Sequence, residues 1–260
     1  MGDYQTIKVE QKGEVVTVTL NRPKLNLFND QMMEELIQVW HSLRTNRDAR
    51  FVILTGAGDH FSAGVDLSEI GNSEFSPEAA RRQQLAGHEL MRSLESLEQI
   101  TVAALRGAVV GAGMAVAQAC DFRIMTEDAY YLVPETLIGT YYTWGCTPRL
   151  VRLVGPSKAM EIVMTCDPVP AQEAFRLNLA NKVVANDALM QSTHEFVSKI
   201  AAKSPTCIRI TKKIVLGASM EGFGNLFAVE AELMQSVVYT GETLEGIGAF
   251  LEKRKPDYGK

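Results

Sequence analysis

Apolar and polar residues alternate over residues 6–9 and again over 15–20, with Lys12-Gly13 between the two runs. A period of two broken by a turn dipeptide predicts a β-hairpin. The period then lengthens. Met33, Leu36, Ile37 and Trp40 recur at helical spacing, and Asn29 or Asp30 can cap that helix. Residues 51–54 form a short apolar run closed by Thr55-Gly56-Ala57-Gly58, which reads as a buried strand. Ser76-Pro77-Glu78 supplies an N-cap and a first-turn proline, predicting a long helix to about residue 98. Strands are predicted at 101–105, 122–125 and 130–133, with a Gly-rich turn and a short apolar helix over 111–119. Beyond Gly155-Pro156 the pattern is helical at 157–164, 171–177, 187–202, 206–217 and 221–238, with one strand at 182–184. Short strands alternating with helices predict an α/β chain. The division expected is a core over 1–200 and a helical region over 201–260.

Composition narrows the function classes. The 260 residues carry a formal net charge of −5, with 46% hydrophobic and 22% charged residues. These are ordinary globular values, and the acidic balance argues against a nucleic-acid partner, which would need clustered Lys and Arg. The most apolar stretch, 102–120, is interrupted by Arg106 and Gln118, so no membrane span is expected. Residues 1–10 lack an apolar signal core. The four cysteines are scattered without a CxxC pair, which speaks against a metal site and fits a reducing compartment. A cytoplasmic location is the expectation.

Two Gly-rich turns carry the candidate chemistry. Phe61-Ser62-Ala63-Gly64-Val65-Asp66-Leu67 follows a strand, and residues 107–114, with Gly111-Ala112-Gly113, open a helix. Small residues let backbone approach a ligand, and a helix N-terminus presents unpaired amides. Two such amides converging on one oxygen make an oxyanion hole. The glycine spacing does not fit a dinucleotide fingerprint.

Taken in order, these turns with Asn21-Arg22-Pro23-Lys24-Leu25-Asn26, Val133-Pro134-Glu135 and the Glu245-Gly246 segment to Lys255 resemble the crotonase family, the enoyl-CoA hydratase/isomerase superfamily. The resemblance spans nearly the whole chain. It implies a spiral of repeated ββα turns in two roughly perpendicular sheets, followed by a helical C-terminal trimerisation region. It implies an acyl-CoA thioester substrate, no separate cofactor because CoA is part of that substrate, and a homotrimer or homohexamer. The Ala63 and Ala112 amides would hold the thioester oxygen. Leu25, Phe61 and Val65 would line the CoA path, and Phe250 and Lys253 would reach CoA from a neighbouring subunit.

The resemblance also implies which carboxylates matter. Hydratases of the family place one glutamate after the second oxyanion turn and another twenty residues later. Here the first position is Ala115 and the second is Glu135. Water addition benefits from two groups, one to activate water and one to donate the α-proton. A single carboxylate fits isomerases in which one base moves a proton between C2 and C4, so isomerisation is favoured over hydration. A catalytically degenerate CoA-binding subunit is the alternative outside catalysis. Thr143 stands where some relatives carry an aspartate, which disfavours thioester hydrolysis. Tyr141, Tyr142 and Trp144 either narrow the acyl pocket or pack between subunits, with packing preferred. His41, His60 and His194 are expected to face solvent, His88 to sit at a surface or a cap, and Ser62 not to act as a nucleophile.

Overall fold

A computed structural model describes residues 3–72, 76–220, 234–235, 238–239 and 241–257. Strands β1 (Ile7–Lys12) and β2 (Val15–Leu20) form the expected antiparallel hairpin around Gly13, whose φ of 58° suits glycine. The sheet then grows by parallel pairing through β3 (Phe51–Gly56), β4 (Ile100–Leu105), β6 (Phe122–Thr126) and β9 (Lys182–Val184). Both β3 and β4 are buried along their whole length, as parallel strands covered on two faces require. A second sheet joins β5 (Ala108–Val110), β7 (Tyr130–Leu132) and β8 (Val169–Pro170). Neither β5 nor β8 is predicted from the sequence. The first lies inside a Gly-rich run, and the two residues of the second are too few to show a period.

Helix α1 (Asp30–Leu43) is capped by Asn29, whose side chain accepts from the Met32 amide, and it buries Met33, Leu36 and Trp40. A short helix α2 (Leu67–Asn72) follows the first Gly-rich turn. The long helix α3 (Pro77–Glu95) starts on the Ser76 cap and stops three residues earlier than its pattern predicts, at Ser96. Helix α4 (Ala112–Ala119) is buried throughout. Helix α5 (Cys146–Val154) is unpredicted, and it begins just after Gly145 with Pro148 in its first turn. Helices α6 (Pro156–Thr165), α7 (Ala171–Arg176), α8 (Leu189–Ala201) and α9 (Pro205–Met220) follow the predicted pattern within a few residues. The last described helix is α10 (Glu242–Leu251).

The large core gathers β1, β2, α1, α3, α4 and α5, with Trp40 and Phe28 fully enclosed. A second core under α8 packs Phe51, Ile53, Val102 and Leu189 from the opposite face of the sheet. Helix α9 is tied to this sheet by Lys212, whose Nζ reaches Asp121 Oδ2 and the Gln99 carbonyl, each at 2.7 Å. Of the expected helix over 221–238, residues 221–233 and 236–237 lie outside the described residues, and with them Leu226, Phe227, Leu233 and Val237. Val238 is described and is buried within its own chain beside Ala80, Met234 and Tyr141. No described helix is long and apolar enough to cross a membrane.

Candidate functional site

The two Gly-rich turns meet through backbone pairing. Ser62 bridges Val109 in parallel, with the Ser62 amide on the Ala108 carbonyl (3.1 Å) and the Val110 amide on the Ser62 carbonyl (2.9 Å). A methyl group on Gly113 would stand 2.9 Å from the Ser62 carbonyl, so only glycine allows α4 to sit this close to the first turn. This contact brings Ala63 and Ala112 to one cavity of about 520 Å³. Ala112 is the first residue of α4, where amides have no intrahelical acceptor. The Ala63 amide is already engaged, donating to the Leu25 carbonyl at 3.0 Å. A ligand oxygen must therefore share or replace that carbonyl.

Glu135 opens a single turn of 3-10 helix (Glu135–Ile138) and lines the same cavity. A Cβ on Gly111 would lie 2.8 Å from Glu135 Oε1, which places the carboxylate directly over the residue before Ala112. The residue as a whole is half-buried, but Oε2 is sealed and has no hydrogen-bond partner. Burial pushes the carboxyl pKa up to about 8, against a smaller opposing effect of its own backbone N–H. One of the two titrating oxygens is sealed, so the shift follows from the head group and not from the residue average.

The turn is held from outside by α10. Gly246 packs against Ile138 so closely that a methyl would stand 2.3 Å from its backbone, and Thr243 Oγ1 donates to the Gly139 carbonyl at 3.0 Å. On the other side, Arg22 pairs with Asp66 at 2.7 Å. Burial opposes ionisation of Asp66, but Ser68 and Arg22 prevail and hold its carboxyl below the ordinary range.

The residues expected from sequence divide clearly. Glu135, Ala63, Ala112, Leu25 and Val65 line one cavity, and Phe250 of the same chain joins them. Phe61 does not line it. Its side chain is fully buried in the large core instead. Lys253 is exposed beyond the end of α10 and is not among the lining residues. Tyr141, Tyr142 and Trp144 all line the cavity of their own chain, and Tyr142 and Trp144 are buried within it, which corrects the preference for subunit packing at those two. Tyr142 is buried and donates to Gln118 Oε1 at 3.3 Å, and burial, then Cys146 and Glu135, raise its pKa. His88 is buried at 4% exposure, and His60 is half-buried with Nδ1 accepting the Ala108 amide, so neither is the surface residue expected. His41 and His194 are exposed. Ser62 is enclosed, donating to the Asn26 carbonyl and accepting from Gly64. Among the described residues, no three His, Cys, Asp or Glu gather as a metal site.

Sequence reasoning missed Gln84, on α3, which is buried and lines the cavity. It also missed Gly87, whose hydrogen faces the Trp144 indole: a methyl there would meet Nε1 at 2.2 Å. Only the helical spacing of 84 and 87 on the buried side of α3 hinted at either.

The arrangement can hold a polarised carbonyl oxygen beside one carboxyl group in apolar surroundings. Residues 10–260 match the enoyl-CoA hydratase/isomerase family. A short-chain-enoyl-CoA hydratase of Clostridium acetobutylicum is 33% identical over 255 residues, covering 97% of each chain. Among solved structures, an enoyl-CoA hydratase from Bacillus anthracis is 33% identical with a TM-score of 0.80, over 98% of this chain and 99% of that one. A Thermobifida fusca protein described as a putative enoyl-CoA hydratase, in complex with acetoacetyl-CoA, is 28% identical with a TM-score of 0.76, covering 91% and 95%.

Proposed function

We propose, from the premise that this chain belongs to the enoyl-CoA hydratase/isomerase family, that it moves a double bond in an acyl-CoA thioester with Glu135 as its proton carrier. The observation that carries this reading is the sealed Glu135 carboxyl lying over Gly111, next to the Ala112 amide, with alanine at 115. Ionised Glu135 takes a proton from C2 of a 3-enoyl thioester. The electron pair moves through the thioester carbonyl to its oxygen, held by the amides of Ala112 and Ala63 once the Leu25 carbonyl yields. The same carboxyl returns the proton at C4, and the double bond ends between C2 and C3. Preorganised donors contribute about 3–4 kcal/mol each in comparable sites. A carboxyl with pKa near 8 is a stronger base than an ordinary one, which narrows the gap to a weakly acidic α-carbon.

Hydration of a 2-enoyl-CoA is the second reading. It is favoured by the name of the Clostridium relative, a short-chain-enoyl-CoA hydratase. Against it stands Ala115, which cannot activate water. One experiment separates the two: 2-enoyl- and 3-enoyl-CoAs are offered with product identification, for wild type, Glu135→Gln and Ala115→Glu. Isomerisation by wild type, lost by about 10²–10⁴-fold in Glu135→Gln, is the expected outcome. Gln keeps the shape, so CoA-thioester affinity should stay within a few-fold. A 3-hydroxyacyl product from wild type would establish hydration instead. Wild-type turnover by Glu135→Gln would remove the carboxylate from the mechanism.

A further inference from the structure

Beyond the thioester end, the cavity carries polar groups that the proton transfer does not use. Gln84 is 3% exposed, lines the cavity and leaves Oε1 without a hydrogen-bond partner. One turn later on the same helix, Gly87 touches the Trp144 indole at Nε1. Among the described residues, the Trp144 N–H meets no acceptor, although its own carbonyl is bonded by Arg149. Trp144 is itself 4% exposed and its ring is fixed edge-on to Phe28, with centroids 6.5 Å apart. An unpartnered, sealed acceptor on α3 and an indole donor packed against the next turn of α3 therefore both belong to the wall of one cavity.

A buried polar group without a partner is unfavourable unless something supplies the missing bond. The smallest group that satisfies an acceptor and a donor together is a hydroxyl. It donates to Gln84 Oε1 and accepts from the Trp144 N–H. The last torsion of glutamine is soft, so the amide can turn its oxygen inward without repacking α3. An alkyl chain reaching the same place would displace any bridging water and return none of its bonds.

We infer that the acyl group this protein accepts carries a hydroxyl remote from the thioester, read by Gln84 and Trp144. The inference rests on the acyl-CoA reading above and goes further by naming the substrate class. A site built to hydrogen-bond a hydroxyl rejects the analogue that lacks it far more strongly than an apolar pocket rejects an extra one.

The test is a series of saturated acyl-CoAs of increasing length, each with and without a terminal hydroxyl, titrated calorimetrically into the full chain. At one chain length the hydroxylated thioester should bind at least about tenfold tighter than its alkyl counterpart. Gln84→Leu should erase that preference. Trp144→Phe, which removes the N–H and keeps an aromatic ring, should weaken it independently if the leucine variant fails to fold. Equal or weaker binding of the hydroxylated thioester at every length overturns the inference while leaving the acyl-CoA reading intact. So does a preference that survives both variants. If no thioester of either kind binds, the acyl-CoA reading fails, and the inference falls with it.

Discussion

The proposed chemistry turns on one residue whose environment is set by its neighbours. Glu135 is held where a side chain at 111 would collide with it, and Gly111 takes a φ of 47° that glycine tolerates readily. Its carboxyl has an ordinary value of 4.5 and is raised to about 8 by burial. Between those values the folded chain holds a proton that the unfolded chain releases, so stability falls as pH rises from about 4.5 to about 8. A shift of this size corresponds to several kcal/mol, at about 1.4 kcal/mol per unit. Glu135→Gln removes the titration. Urea unfolding of both proteins should show the variant gaining on the wild type as pH increases across that window, by at least about 1 kcal/mol. A stability difference that does not change with pH would mean the carboxyl is solvated. In the proposed reaction the same group sets the rate. Only the carboxylate can accept the α-proton, so exchange of that proton in deuterated water should rise with pH up to about 8 and then level.

At the scale of elements, the Glu135 turn is clamped by a helix that sequence alone connects to it only loosely. Helix α10 lies against residues 135–139 through two glycine contacts: Gly246 on the Ile138 backbone and Gly139 on the Glu242 carbonyl, at 2.3 and 2.4 Å for an added methyl. Gly246→Ala must push the helix off the turn. Overpacking of this kind costs about 1–3 kcal/mol, and for a chain of this length each kcal/mol moves Tm by about 2–4 °C. A lower Tm together with reduced kcat is the expected result by thermal scanning and steady-state assay. Unchanged values of both would show that the turn stands without α10. These contacts mark the limit of what the sequence reveals. The hairpin, α1 and α3 are legible because long amphipathic runs and caps such as Asn29 and Ser76 act locally. Glu135, Ala63 and Ala112 are legible because ordered motifs surround them. Strand β5 escapes because Ala108-Val109-Val110 is short and lies inside a Gly-rich run. Helix α5 escapes because Gly145 and Pro148 read as breakers, although proline is harmless in a first turn. Phe61 is misplaced because a motif fixes position but not the side to which a ring turns. The meeting of Gly87 with Trp144 joins residues far apart in the chain, and no local pattern encodes it.

For the whole molecule, the question is what covers the outer faces of the last helices. Lys212 fixes α9 to the sheet through Asp121 and Gln99, and that tie directs the opposite face of the helix outward. On that face Ile210 and Ile214, one turn apart, are 50% and 65% exposed. Helix α10 adds Leu244, Phe250 and Leu251, each also more than a third exposed. Single exposed apolar residues are unremarkable, but groups of them on the last helices are the usual mark of interfaces. Phe250 is both exposed on α10 and part of the cavity lining, so a neighbouring copy seated against α10 would also narrow the mouth of the site. We therefore expect the chain to assemble as a homotrimer or homohexamer, with Ile214 at a contact. Light scattering at micromolar concentration should return three or six times the 28.6 kDa chain mass. Ile214→Glu should lower that mass, because burying an unpaired carboxylate in an apolar contact is strongly unfavourable. A wild-type protein that stays monomeric under these conditions would leave the outer faces of α9 and α10 open to solvent and sink the expectation. An assembly indifferent to Ile214→Glu would move the contact away from α9.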